Sequence, residues 1–163
     1  MKSNLRDRNS HFLLPLLALL CITSCSNTED NSNTESISAG TWTINRVVDG
    51  DTVWAEDQSG DGYKIRLIGI DAPEANECGF NEATSALQDL IGNKPVVLQS
   101  GASSEMDKYG RLLRYVDVGG VDVGLQLIEA GYAIARYDSR DGYGPHSREA
   151  TYVSADEVSL KFC

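Results

Sequence analysis

The chain is expected to fold as α+β, mainly β: a small five-stranded barrel closed on itself, with three helices. Two observations carry that expectation. Five strand-like runs, none longer than eight residues, are separated by short polar or glycine-containing stretches. A helical repeat is inserted between the third and fourth of them, which suits a sheet that closes and carries its helices at one end. The first three strands are read at residues 41–48, 52–55 and 63–70, all rich in β-branched and aromatic side chains. Asp57-Gln58-Ser59-Gly60-Asp61-Gly62 is the turn before the third strand. It is faintly like a calcium loop but lacks the bidentate glutamate downstream, so a solvated hairpin is expected.

Residues 81–91 repeat Ala83, Ala86, Leu87, Leu90 and Ile91 at helical spacing. Strands follow at 95–100 and 112–118. A second helix carries Val123, Leu127, Ile128 and Ala130 and stops at Gly131, a residue that readily adopts the left-handed conformation ending helices. Residues 132–137 form a short apolar run, and 138–144 a polar, glycine-rich loop. The last helix is expected to start near His146 and to contain Ala150, Val153, Ala155 and Val158.

The N-terminus reads as an address rather than as fold. Lys2, Arg6 and Arg8 precede an apolar stretch at 12–22, shorter than the roughly 20 residues a spanning helix needs. Ile22-Thr23-Ser24-Cys25 has the form of a lipobox, so residues 1–24 are expected to be a lipoprotein signal peptide and Cys25 the lipidated residue. Residues 25–40, Ser/Asn/Thr/Glu-rich with a single isoleucine, are expected to be a flexible acidic tether. Such a protein is exported and anchored by lipid at the cell envelope, in the outer or cell-surface membrane. Residues 41–163 are then one domain, with two cysteines, Cys78 and Cys163. Outside the cytoplasm such a pair is expected to form a disulfide.

Two stretches carry chemistry. Val48-Asp49-Gly50-Asp51-Thr52 and Arg66-Leu67-Ile68-Gly69-Ile70-Asp71-Ala72-Pro73-Glu74 put carboxylates and an arginine at the ends of short apolar strands. Carboxylates so placed bind a hard cation, and an arginine beside them holds an anion that the cation polarises. Asp107-Lys108-Tyr109-Gly110-Arg111 adds a second arginine on a turn. Two converging guanidinium groups suit a phosphate whose charge rises in the transition state. Each stretch alone is an ordinary turn or surface strand; their joint occurrence points to phosphate ester cleavage.

In their order along the chain, Asp-Gly-Asp-Thr, Arg-Leu-(x)3-Asp-x-Pro-Glu, Asp-Lys-Tyr-Gly-Arg and Leu-Ile-Glu-Ala-Gly-Tyr-Ala resemble the motifs of the staphylococcal nuclease (thermonuclease) family. The resemblance covers nearly all of residues 41–163. It implies an OB-fold barrel with three helices and a calcium-dependent hydrolase of the phosphodiesterase class, cutting DNA and RNA to 3′-phosphate products. By position it implies Ca²⁺ ligands Asp51, Asp71 and the carbonyl of Ala72, and catalytic residues Arg66, Glu74 and Arg111. It further implies that Lys108 and Tyr109 hold a neighbouring phosphate and that Tyr137 lies near the nucleoside. No histidine is required, and His146 is expected at the surface or as a helix cap. Ala72 replaces a threonine of the founding member, which costs a hydroxyl but not the carbonyl. Arg114 and Arg136 replace neutral residues and are expected to add positive charge near the cleft.

The charge limits the alternatives. There are 24 acidic and 14 basic residues, a net of −10; loss of a leader carrying three basic residues and one acidic one takes this to −12. An acidic surface repels a polyanion, which excludes nonspecific coating of nucleic acid and leaves room for a focused cationic cleft. A noncatalytic nucleic-acid-binding module and a structural or interaction lipoprotein are the competing readings; the complete set of Arg66, Glu74 and Arg111 and the net charge of −12 both count against the first. A monomer is expected.

Overall fold

The computed structural model describes residues 40–163; the expected leader, Cys25 and the tether up to residue 39 lie outside the described residues. The chain runs β1 (Thr41–Val47), β2 (Thr52–Glu56), β3 (Gly62–Leu67), β4 (Ile70–Asp71), α1 (Phe80–Ile91), β5 (Val96–Gln99), β6 (Leu112–Val118), β7 (Val121–Asp122), α2 (Val123–Glu129), β8 (Ile134–Ala135) and α3 (Glu149–Val158). A 3-10 turn, Ser139–Asp141, sits in the loop before α3. Strands pair in the order β3-β2-β1-β5-β6-β7, and a further parallel pairing of β3 with β6 closes the sheet. Five strands, β1, β2, β3, β5 and β6, thus form a closed mixed barrel, and with three helices the fold is the expected α+β OB type. The hairpin between β2 and β3 is held by Asp57, whose Oδ1 accepts the amides of Ser59 and Asp61 at 2.8 and 3.0 Å.

Burial follows the strand period of two. Val53 and Ala55 on β2, Ile65 and Leu67 on β3, and Val96 and Leu98 on β5 fill the barrel. Helix α1 contributes Ala83, Leu87 and Ile91, spaced four apart on one stripe and fully or almost fully buried. Helix α2 starts where Asp122 accepts the Leu125 amide at 3.1 Å. On β6 the alternation fails, because Tyr115, Val116, Asp117 and Val118 are all buried. One face of the strand meets the barrel core and the other meets α3. There Arg148 forks onto Asp117 at 2.7 and 2.8 Å, reaches Asp122 at 2.8 Å and lies 4.2 Å over the Tyr115 ring. Its guanidinium pKa is driven up, first by the Asp117 hydrogen bonds.

Three expectations need correction. The third strand does not run unbroken over 63–70: it ends at Leu67, turns at Ile68 and Gly69, and resumes as β4. Gly69 has φ +75°, and a Cβ there would lie 2.5 Å from the His146 ring. The chain leaves the barrel at this point, and β4 pairs instead with β8. The last helix begins at Glu149 rather than near His146. His146 is neither a surface residue nor a side-chain cap: it is 8 % exposed, with Nδ1 2.8 Å from the Tyr115 hydroxyl and Nε2 buried without a hydrogen-bond partner. The side-chain stacking of Tyr115, His146 and Tyr152 turns the ring inward.

The expected disulfide is present. Cys78 and Cys163, 85 residues apart, are bonded with a Cα–Cα distance of 6.0 Å. The bridge, the Phe162 amide on the Gly131 carbonyl at 3.0 Å and the Phe162–Tyr132 ring contact fasten the C-terminus to the end of α2 and to the loop before α1.

Candidate active site

The acidic loop between β1 and β2 reaches the rest of the site because Gly50 has no side chain. A Cβ at Gly50 would lie 2.7 Å from Cβ of Ala72 and 2.8 Å from Cβ of Ala83 on α1, closer than carbon atoms approach. With hydrogen there, Asp51 comes under β4. Its Oδ2 accepts the Ala72 amide at 3.0 Å, and its Oδ1 accepts the Thr52 hydroxyl at 3.0 Å. Asp51 is 5 % exposed. Burial pushes its carboxyl up to about 6, against the pull of Arg66 and the Ala72 amide. A carboxyl so poorly solvated gains from more positive charge beside it than Arg66 alone supplies.

Arg66 is the hub. It stands opposite Thr52 on β2 and beside Leu113 on β6, at the parallel seam that closes the barrel. Its Nη1 donates to the Leu67 carbonyl at 2.7 Å. Its Nη2 lies 2.9 Å from Asp51 Oδ2 and 3.7 Å from Asp71 Oδ1, so both carboxylates face one guanidinium. Tyr137 covers that guanidinium at 5.3 Å and donates its hydroxyl to Asp71 Oδ1 at 3.3 Å. Burial, and then the Asp71 charge, raise the phenol pKa. Tyr137 has φ +60°, unusual for a bulky residue and sustained by the bond from its amide to Asp141 Oδ2 at 2.8 Å.

The second arginine comes from the hairpin before β6. Asp107 Oδ1 accepts the amides of Tyr109 and Arg111 at 2.9 and 3.0 Å, and its Oδ2 accepts Arg111 Nε at 2.6 Å. Burial raises the Asp107 pKa, but these bonds outweigh it and hold the carboxyl below its usual range. Because Arg111 is gripped through Nε, its two terminal nitrogens remain able to fork onto a phosphate. Tyr109, largely exposed, lies between Lys108 and Arg111, at 5.0 and 5.4 Å from the cations. Glu74 projects from the loop after Pro73, its amide donating to Glu77 Oε2 at 2.7 Å.

Arg66, Glu74, Lys108, Tyr109, Arg111 and Tyr137 all line one cleft of about 840 Å³. Asp51 and Asp71 join it through their contacts with Arg66. Among the described residues no group of three or more His, Cys, Asp or Glu side chains is gathered as a metal cage; the expected donor set is two carboxylates and the Ala72 carbonyl. All are hard oxygens, the chemistry that Ca²⁺ accepts. Arg136 adds charge as expected, 3.7 Å from Asp71. Arg114 does not, since Glu105 pairs with it at 2.5 Å. Sequence reasoning passed over two residues that line the cleft. Lys64 lies two positions before Arg66, on the same face of β3, and Tyr143 stands between two glycines in the polar loop.

Residues 64–157 match the family model for the staphylococcal nuclease homologue. The chain belongs to that family. It is 27 % identical over 135 residues to an uncharacterised protein of Methanocaldococcus jannaschii, covering 64 % of this chain and 65 % of the other. It is 31 % identical over 125 residues to the SPbeta prophage-derived endonuclease YokF of Bacillus subtilis, covering 73 % and 40 %. With the thermonuclease of Staphylococcus intermedius the identity is 33 % over 107 residues, covering 61 % and 62 %. In each case the match spans less than two thirds of the relative's own length. The family match begins at Lys64 and includes Arg66, Asp71, Glu74 and Arg111; Asp51 precedes it.

Proposed function

We propose that this protein is a calcium-dependent nuclease that hydrolyses phosphodiester bonds of DNA and RNA and leaves 3′-phosphate ends. One observation carries the reading. Arg66 is buried at the barrel seam between two carboxylates, in a cleft that Arg111 and Glu74 also line. Membership of the nuclease homologue family, and the endonuclease and thermonuclease names of its relatives, support it.

In this reading Asp51, Asp71 and the Ala72 carbonyl hold Ca²⁺. When bound, the ion would supply Lewis-acid chemistry toward the phosphate and would make nearby water more acidic. Glu74, exposed on its loop and free of any arginine partner among the described residues, orients the attacking water and takes its proton. The bond from phosphorus to the 5′ oxygen breaks, and the phosphate stays on the 3′ side. Arg66 and Arg111 bind the non-bridging oxygens as five-coordinate phosphorus gathers charge, the moment at which planar, bidentate donors contribute most. Lys108 and Tyr109 hold a neighbouring phosphate, and Tyr137 borders the nucleoside. Plasmid DNA and an RNA transcript incubated with calcium or with chelator test the reading. Cutting in calcium alone, with 3′-phosphate termini, is the expected result; retention of intact nucleic acid in both conditions would sink it.

We propose further that the protein is an exported monomer tethered by lipid on Cys25, as the lipobox suggests. The wild type should sediment with membranes and Cys25→Ala should remain soluble. Wild-type protein recovered in solution with a free thiol at Cys25 overturns the tether.

A further inference from the structure

We propose that Tyr143 is a stacking platform for an unpaired base of the substrate, lying one step along the strand from the phosphate that Arg66 and Arg111 grip. The proposal rests on the nuclease reading and adds a residue to it. Tyr143 lines the cationic cleft, is 62 % exposed and takes no part in the core. Its ring meets Tyr137 edge-to-face, with centroids 5.3 Å apart and planes at 90°. The Tyr137 ring is already occupied, with Arg66 and Arg136 at 5.3 and 5.7 Å from its centroid and its hydroxyl on Asp71. Among the described residues no guanidinium or ammonium lies over the Tyr143 ring, in contrast to Tyr137 and to Tyr109, which Lys108 and Arg111 approach.

Its backbone is fixed in advance. The Tyr143 amide donates to the Asp138 carbonyl at 3.1 Å, and its carbonyl accepts the Ser103 hydroxyl at 3.4 Å. Gly142 and Gly144 flank it with φ of 83° and 87°, and the fully buried Asp138 is pinned by Arg140 at 2.6 Å. A ring held out to solvent on an ordered loop loses little freedom when a base stacks on it. Base stacking on such rings tolerates any base, because every base has a π-face.

The test uses short fluorescent single-stranded oligonucleotides, intact or with an abasic site at each position in turn. Tyr143→Ala should raise KM about tenfold, while Tyr143→Phe, which keeps the face, should stay within about twofold of wild type. One abasic position should cost the wild type the same tenfold and cost Tyr143→Ala nothing further, the coupling that identifies the base in contact. A wild-type KM for Tyr143→Ala, or losses that simply add at every position, overturns the proposal and leaves the nuclease reading intact. Should the wild type cut nothing in calcium, the nuclease reading falls, and anisotropy titrations with the same oligonucleotides decide for Tyr143. A Kd about tenfold weaker for Tyr143→Ala upholds it; an equal Kd, or no binding by either form, overturns it.

Discussion

Arg111 and Glu74 are the residues at which the proposed chemistry is most exposed to measurement. Both sit at the edge of the fold: Arg111 is held within one hairpin by Asp107, and Glu74 is tied down only through its own backbone amide, which donates to the Glu77 carboxylate. Removing either side chain should spare the core. Arg111→Ala and Glu74→Ala are predicted to lower kcat by about 10²-fold or more at saturating calcium, because each acts mainly on charge that appears in the transition state. Near-wild-type kcat from either would refute its role. His146 makes a different prediction, of stability against pH. Burial lowers its pKa from 6.5, although Glu149 and Asp138 pull the other way and Arg140 reinforces the drop; the tyrosines at 115 and 152 pack its ring. The unfolded imidazole therefore takes up a proton before the folded one does. Stability is complete above about pH 6.5 and is lost as pH falls through the lower folded value. Urea midpoints of the wild type and His146→Gln between pH 7.5 and pH 5 check this: the wild type should lose more over that interval, and parallel curves would show that His146 does not carry the effect.

Among the elements, α3 depends most on a single polar contact. Arg148 lies where β6, β7 and α3 meet, and its loss leaves Asp117, 8 % exposed, without its cationic partner and with the Gln99 amide, which donates to Oδ2 at 2.5 Å, as its remaining side-chain bond. Arg148→Ala is predicted to cost about 3 kcal/mol, the lower end for a broken buried pair because the guanidinium keeps some contact with water. Chemical denaturation measures it, and a cost within experimental error of zero would mean that the pair is replaceable. Helices α1 and α2 and strand β2 were legible in the sequence because their apolar residues recur on the period that burial requires, Ala83, Leu87 and Ile91, then Val123, Leu127 and Ile128, then Val53 and Ala55. Strand β1, which has no buried residue, and β6, buried on both faces at its end, were legible from their β-branched and aromatic residues. The break at Gly69 was not. The run from Tyr63 to Ile70 suits a strand at every position but Gly69, and the turn there combines that residue's positive φ with close packing on His146, 77 positions away. The same contact explains why His146 read as a surface or capping residue: its partners, Tyr115 on β6 and Gly69 in the turn before β4, are distant in sequence. At the site, the two arginines and the carboxylates stood out because their motifs are contiguous. Tyr143 did not, since its neighbour Tyr137 is joined to it only through the fold of the 3-10 turn.

For the whole molecule, the disulfide is the largest single constraint outside the core. It closes a loop of 85 residues, and chain-entropy reasoning gives it roughly 4 kcal/mol at most. Reductant should therefore shift the urea unfolding midpoint downward; coincident curves with and without reductant would show that the bridge adds nothing. The parallel seam between β3 and β6 has a consequence for when the molecule becomes dangerous. Arg66 belongs to one side of that seam and Arg111 ends the hairpin that enters the other. The two share a cleft only once β3 and β6, the third and fifth barrel strands along the chain, have met, and pairings so distant in sequence form late. In the proposed reading, a newly made chain that is still extended has no phosphate clamp to turn on the nucleic acids around it. In that reading folding itself acts as the safety catch, and nuclease activity regained on refolding should never run ahead of the burial of Tyr115 on β6.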